Sequence, residues 1–151
     1  MATVKIRIDD KQMMRNFKKL QATLPKIVDK EILATANFGV QIIQDRTEKG
    51  MSFEGYGFKP YTKSYARFRA KKGRKTAPPD LNFSGRMLSS MVAKPLPDNK
   101  AKITFSRAVE YKKAAFNQEL RPFVGFNSNE ESRLARFFQK RIEKHLGRVA
   151  K

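Results

Sequence analysis

His145 is the single histidine of the chain, and no cysteine accompanies it. That removes thiolate nucleophiles, disulfides and the usual zinc or iron–sulfur donor sets. An imidazole can serve as a general base near neutral pH, but a base needs a positioned nucleophile, and no Ser/His/Asp signature surrounds His145. On the apolar edge of a terminal helix, its expected role is packing or solvation. The adjacent acids Asp9-Asp10 and Glu130-Glu131 fall at expected helix starts, where carboxylates cap amides and complement the dipole. Asp45 and Glu48 stand one helical turn apart, a spacing suited to a surface ion pair. Gly55-Tyr56-Gly57 begins like a phosphate loop but lacks the third glycine and the Gly-Lys-Ser/Thr ending. No catalytic residue, metal ligand or cofactor is assigned, and the expectation is a protein that is not an enzyme.

A different chemistry is concentrated between Gly55 and Met91. Lys59, Lys63, Arg67, Arg69, Lys71, Lys72, Arg74 and Lys75 follow one another with no acid among them, interleaved with Tyr56, Phe58, Tyr61, Tyr65 and Phe68. Three readings fit. The cations contact phosphates while the aromatics stack or lie along the backbone of a nucleic acid. Or the segment docks on an acidic protein and the aromatics anchor the interface. Or Tyr61, Tyr65 and Phe68 pack inward and the charges face solvent. No zinc finger, basic zipper or helix-turn-helix pattern is present to read a DNA sequence. The whole chain has the same bias: 33 Lys and Arg against 14 Asp and Glu give a net charge of +19, which attracts polyanions at long range. Nucleic acid, an acidic protein surface and an anionic membrane are the partner classes in that order, beside a charge that serves only solubility. Met1 to Asp10 has no apolar signal-peptide region, and no apolar run approaches the ~20 residues of a membrane span. A soluble chain with no obvious secretory route is expected.

The elements that must position these groups follow from periodicity. The 151 residues suit a single domain, 1–151, and 40% hydrophobic residues suffice for a core. Thr3 to Ile8 alternates as a half-buried strand. Met13, Phe17, Leu20 and Leu24 mark an amphipathic helix that Pro25 should kink or end, so that a second helix begins there. That second helix carries the stripe Ile27, Val28, Ile32, Thr35, Ala36, Gly39, Val40 and Ile43, and stops at Gly50. Ala36 and Gly39 call for close approach of another backbone, most simply in packing on a sheet, otherwise at an oligomer seam. Tyr61 to Lys72 has helical spacing. Residues 70–80, rich in cations, glycine and proline, are expected as a flexible basic loop. Ser84 is placed as the cap of a short helical turn. Met91–Leu96 and Ala101–Phe105 form a hairpin around Pro97 to Lys100, with Pro95 on an edge. Ala108 to Asn117 is a short helical segment and Arg121 to Phe126 an extended apolar run. Ser128 opens the last helix with Glu131 completing its capping box, and Gly147 ends it. The sum is an α+β domain: a small antiparallel sheet against long N-terminal helices and a C-terminal helix, with a mobile basic loop.

Three segments in this order resemble the phage virion morphogenesis (tail completion) family, of Mu-type and P2-type, and more distantly the head–tail joining proteins of long-tailed phages. They are Phe58-Lys59-Pro60 leading to the Lys-rich helix; Leu81 to Leu88 with Ser84, Gly85 and Met87; and Arg121-Pro122-Phe123-Val124-Gly125 before the final helix. The match runs from about Gly55 to Leu146. Many relatives have a tryptophan near the position of Phe58, and this chain has none. The resemblance implies a structural protein of the tail or neck that finishes the tail or joins it to the head. It further implies other tail or neck proteins as partners, a homo-oligomeric ring around the DNA path, non-specific contact with double-stranded DNA, and no membrane. Assembly in the host cytoplasm, then a place in the virion, go with it.

Overall fold

The structure, a computed structural model, describes residues 10–149. The expected strand Thr3 to Ile8 and the capping Asp9 lie outside them. A single helix, α1, runs Asp10–Glu48 with Pro25 inside it, which corrects the expected division there. Pro25 is exposed, so its missing N–H and its ring disturb the hydrogen-bond ladder on the wet side. The apolar stripe keeps its phase across it. α1 ends in a Schellman motif: Gly50 N–H donates to Thr47 O at 2.9 Å and Met51 N–H to Arg46 O at 3.2 Å. Gly50 holds φ +77°, and a Cβ there would stand 2.6 Å from Pro78, so the 70–80 loop presses on the helix stop.

α2 is Lys63–Lys71, with the Thr62 hydroxyl accepting from Tyr65 N–H at 3.4 Å. α3 is one turn, Arg86–Ser89; its capping position is Gly85, with no side-chain cap, and not Ser84 as expected. β1 (Met91–Leu96) and β2 (Lys100–Phe105) pair antiparallel, Met91 opposite Phe105 and Leu96 opposite Lys100. Asp98 and Asn99 turn the hairpin at φ 61° and 53°, a left-handed conformation these two residue types tolerate. Pro95 stands in β1, whose outer edge has no partner strand among the described residues, as its missing donor requires.

α4 (Ala108–Leu120) is longer than expected, and α5 runs Ser128–Val149. The capping box of α5 lies one residue earlier than the sequence pattern places it. The Asn127 side chain accepts from Glu130 N–H at 3.0 Å and Glu130 accepts from Asn127 N–H at 3.1 Å. Gly147 does not end α5, since a glycine inside a terminal turn costs only ~1 kcal/mol.

The hairpin and α5 both pack on α1, and α4 covers α3 and β2. Where they meet, Val40, Ile43, Phe58, Met87, Leu88, Met91, Ala114 and Phe123 form one core. The close approach expected at Gly39 is made by side chains: a Cβ there would lie 2.8 Å from the Phe126 ring and 3.3 Å from Ile103 of the sheet. The fold is α+β, a two-stranded antiparallel sheet against a long N-terminal and a C-terminal helix. No helix of the described residues is long and apolar enough to cross a membrane.

Candidate partner and nucleic-acid interface

Arginine and lysine differ in what burial demands of them. A guanidinium can be buried when its fork meets several acceptors, whereas an ammonium prefers water. Of the eight cations of the basic segment, Arg69 alone meets that condition and is buried. Arg69 is 1% exposed and bonded through two of its three nitrogens: Nε donates to Lys75 O at 2.6 Å, and Nη2 to Asp80 Oδ1 at 2.8 Å and Asn82 O at 3.0 Å. It is an internal strut, not a surface contact. Lys59, Lys63, Arg67, Lys71, Lys72, Arg74 and Lys75 are exposed, though Lys75 Nζ also donates to Glu48 O at 3.2 Å. Lys63, Arg67 and Lys71 recur at four-residue steps and share one face of α2, away from the face of Tyr65 and Arg69.

The inward face of α2 meets the other two motif segments at Tyr61. The Arg69 guanidinium lies 4.7 Å from the Tyr61 ring centroid and that of Arg121 lies 5.0 Å from it. Arg121 Nε donates to Lys59 O at 2.7 Å and its Nη2 to Pro60 O at 3.1 Å, tying the start of α5's approach to the Lys59-Pro60 turn. The Tyr61 hydroxyl accepts from Leu81 N–H at 3.1 Å and donates to Asp80 Oδ1 at 3.4 Å. Burial pushes the Tyr61 phenol above its usual value of 10, against the opposing pull of the Leu81 N–H and the Arg69 charge.

Most of the other residues in the three segments are packed or bonded internally. Leu81 holds φ 52° and packs on the core, Met87 and Leu88 are in it, Ser84 is exposed, and Gly85 starts α3. Phe123 is fully buried, and Pro122 O accepts from Phe53 N–H at 3.2 Å. A Cβ on Gly125, whose φ is +155°, would stand 2.7 Å from the Phe53 ring. Arg46 secures this segment from α1: its Nη2 donates to Phe123 O at 2.6 Å and Gly125 O at 3.0 Å while Nη1 pairs with Glu130. Nothing in the spacing singles out Arg46, because its partners lie 77 to 84 residues away.

Between α2 and α4 lies an open groove of about 510 Å³, walled by Tyr61, Tyr65, Phe83, Met87, Phe116 and Leu120. Phe116 is 66% exposed and Leu120 45%. The aromatics of the basic segment therefore take both roles. Tyr61 is internal, while Tyr65 and Phe68 stay exposed and stack toward Phe83, with Phe68 and Phe83 centroids 5.6 Å apart. Arg86 and Arg107, with Ser89, Ser90 and Ser106, line a second hollow of about 460 Å³. Only the fold brings those two arginines together.

His145 has a more defined place than packing or solvation. Its Nε2 lies 2.8 Å from Glu31 Oε1, and Arg141 Nε donates to the other oxygen of that fully buried carboxylate. Burial acts to raise the Glu31 pKa, but the hydrogen bonds and charges of Arg141 and His145 outweigh it and hold the group below its usual 4.5. Glu130 caps α5 as expected of its position and also pairs with Arg46. Asp45 and Glu48 have no ion-pair partner among the described residues, against expectation. No cluster of three metal-ligating side chains occurs among the described residues. No family model, curated protein or solved structure matches the chain.

Proposed function

We propose that the chain is a non-enzymatic structural protein of a tailed phage, completing the tail or joining it to the head. In this reading it assembles with tail or neck proteins and with copies of itself as a ring around the DNA path, in the host cytoplasm and then in the virion. One observation carries the reading: the three segments that resemble the tail completion family, far apart in sequence, converge on Tyr61 through Arg69 and Arg121. Segments serving unrelated local roles have no need to share one knot. The division of labour also supports an assembly role, because Arg69 and Arg121 fix the scaffold while α2 turns Lys63, Arg67 and Lys71 outward. Electron microscopy of particles made without this protein tests the proposal. Unjoined heads and unfinished tails are expected; normal, infectious particles would overturn it.

The outward face of α2 favours a second reading, non-specific binding of double-stranded DNA. Each phosphate neutralised contributes about 0.9 to the slope of log affinity against log salt. Replacing Lys63, Arg67 and Lys71 with Gln should lower that slope by roughly 2 to 3 if all three contact phosphates. An unchanged slope rejects α2 as the contact.

A further inference from the structure

Arg121 is a buried cation without a counter-charge. It is 9% exposed. Its Nε and Nη2 take two backbone carbonyls, Lys59 O and Pro60 O, and its guanidinium lies against the Tyr61 ring. No carboxylate meets it among the described residues. The other arginines tied to the interior differ: Arg46 has Glu130, Arg69 has Asp80 and Arg141 has Glu31. Buried charges are ordinarily paired, because carbonyls and a ring replace only part of the hydration an ion loses. The C-terminus of α4, which Arg121 caps, adds a fractional negative charge and no more.

Arg121 lines the open groove between α2 and α4. The other charges there are already answered: Lys113 Nζ lies 3.1 Å from Glu110, and Arg69 meets Asp80. Glu110, Lys113, Asn117 and Leu120 recur at steps of three and four, so one face of α4 forms the wall. That wall is about 15 Å long at ~1.5 Å per residue, a length that about five residues of extended chain would cover. Phe116 and Leu120 stand on it exposed to water.

We infer that this groove receives an extended apolar segment of a partner protein, and that a carboxylate on the segment pairs with Arg121. Apolar walls beside one unmatched guanidinium call for an occupant with both features. Arg121 Nη1 has no acceptor among the described residues, so the fork keeps donors for the carboxylate. Thr62, Ser84 and Asn117 also line the groove and can bond peptide amides. Duplex DNA brings charge without an apolar edge and would leave Phe116 and Leu120 in water. This docking does not depend on the proposed phage role.

The test selects binders of the full chain from a random library of peptides about eight residues long, enough to overfill the wall. Peptides that also bind the Phe116→Ser chain are subtracted, which removes those held by net charge alone. Phe116 is exposed, and circular dichroism checks that the variant is folded. The surviving peptides should carry a carboxylate among apolar side chains. Changing that carboxylate to its amide should weaken binding about tenfold or more by fluorescence anisotropy. The Arg121 Nε–H signal in a heteronuclear NMR spectrum should shift with the acidic peptide and much less with its amide form. No survivors, survivors without an acid, equal binding of the amide form, or an unmoved Arg121 signal overturns the inference. A lower sedimentation mass of the free chain in Phe116→Ser would overturn it too, by placing a second copy in the groove. So would tighter binding of dodecanoate than of any survivor, which would place a fatty acid there.

Discussion

The knot around Tyr61 and the outward face of α2 are built from the same kind of residue and do opposite things. Arg69 and Arg121 are buried, each meeting backbone carbonyls and Tyr61, with Asp80 added for Arg69. Lys63, Arg67 and Lys71, from the same run of cations, face solvent. A buried guanidinium organises the chain that surrounds it, because its charge is tolerable only when its donors are met. Cations that face solvent, as these three do, do little to organise the fold and remain available to a partner. Net charge therefore overstates what a polyanion meets, and one arginine of the basic run, Arg69, holds the loops instead.

That contrast can be broken most forcefully at Arg69. Arg69→Ala leaves Asp80 without its partner in a largely buried site and strips two carbonyls of a donor, so unfolding free energy should fall by about 3 to 5 kcal/mol in a denaturant titration. Gly125→Ala comes next. The added methyl meets the Phe53 ring in a conformation that only glycine adopts readily, with an expected loss of about 2 kcal/mol by the same measurement.

The two perturbed groups give opposite pH dependence. The Glu31 pKa is lowered on folding, so its contribution is present above the unfolded value of 4.5 and is lost as pH falls through the lower folded value. Glu31→Gln should flatten this acid limb in thermal melts. The Tyr61 pKa is raised, so its contribution is present below 10 and is lost as pH rises through the higher folded value. Tyr61→Phe should remove the alkaline limb and cost about 1 kcal/mol at neutral pH, since Leu81 N–H loses its acceptor. The smallest effect belongs to the outer face: Lys63→Gln, Arg67→Gln and Lys71→Gln together should change stability by no more than about 0.5 kcal/mol.

Much of the frame was legible because it rests on local signals. The hairpin was marked by turn residues between alternating runs, the end of α1 by Gly50, and α2 by its aromatic spacing. Local signals also misled where two neighbours could serve. Asn127 and Glu130 took the capping box from Ser128 and Glu131 because Glu130 also meets Arg46, a contact between α1 and α5 that no local window contains. Pro25 read as a break because its cost is local, while the packing that holds α1 together on either side is not. The candidate site was half legible. Periodicity on α2 sets Lys63, Arg67 and Lys71 apart from Arg69, but the burial of Arg69 depends on Asp80 and Asn82, and that of Arg121 on Lys59 and Pro60. His145 read as inert for the same reason: its partner Glu31 lies 114 residues away.

The division between structural and available cations is tested most directly by the urea midpoint of Arg69→Ala measured beside that of the Lys63→Gln, Arg67→Gln, Lys71→Gln chain. The account predicts a large fall for the first and an unchanged midpoint for the second, although the second loses three charges and the first only one. Equal midpoints, or a larger fall in the triple variant, would contradict it.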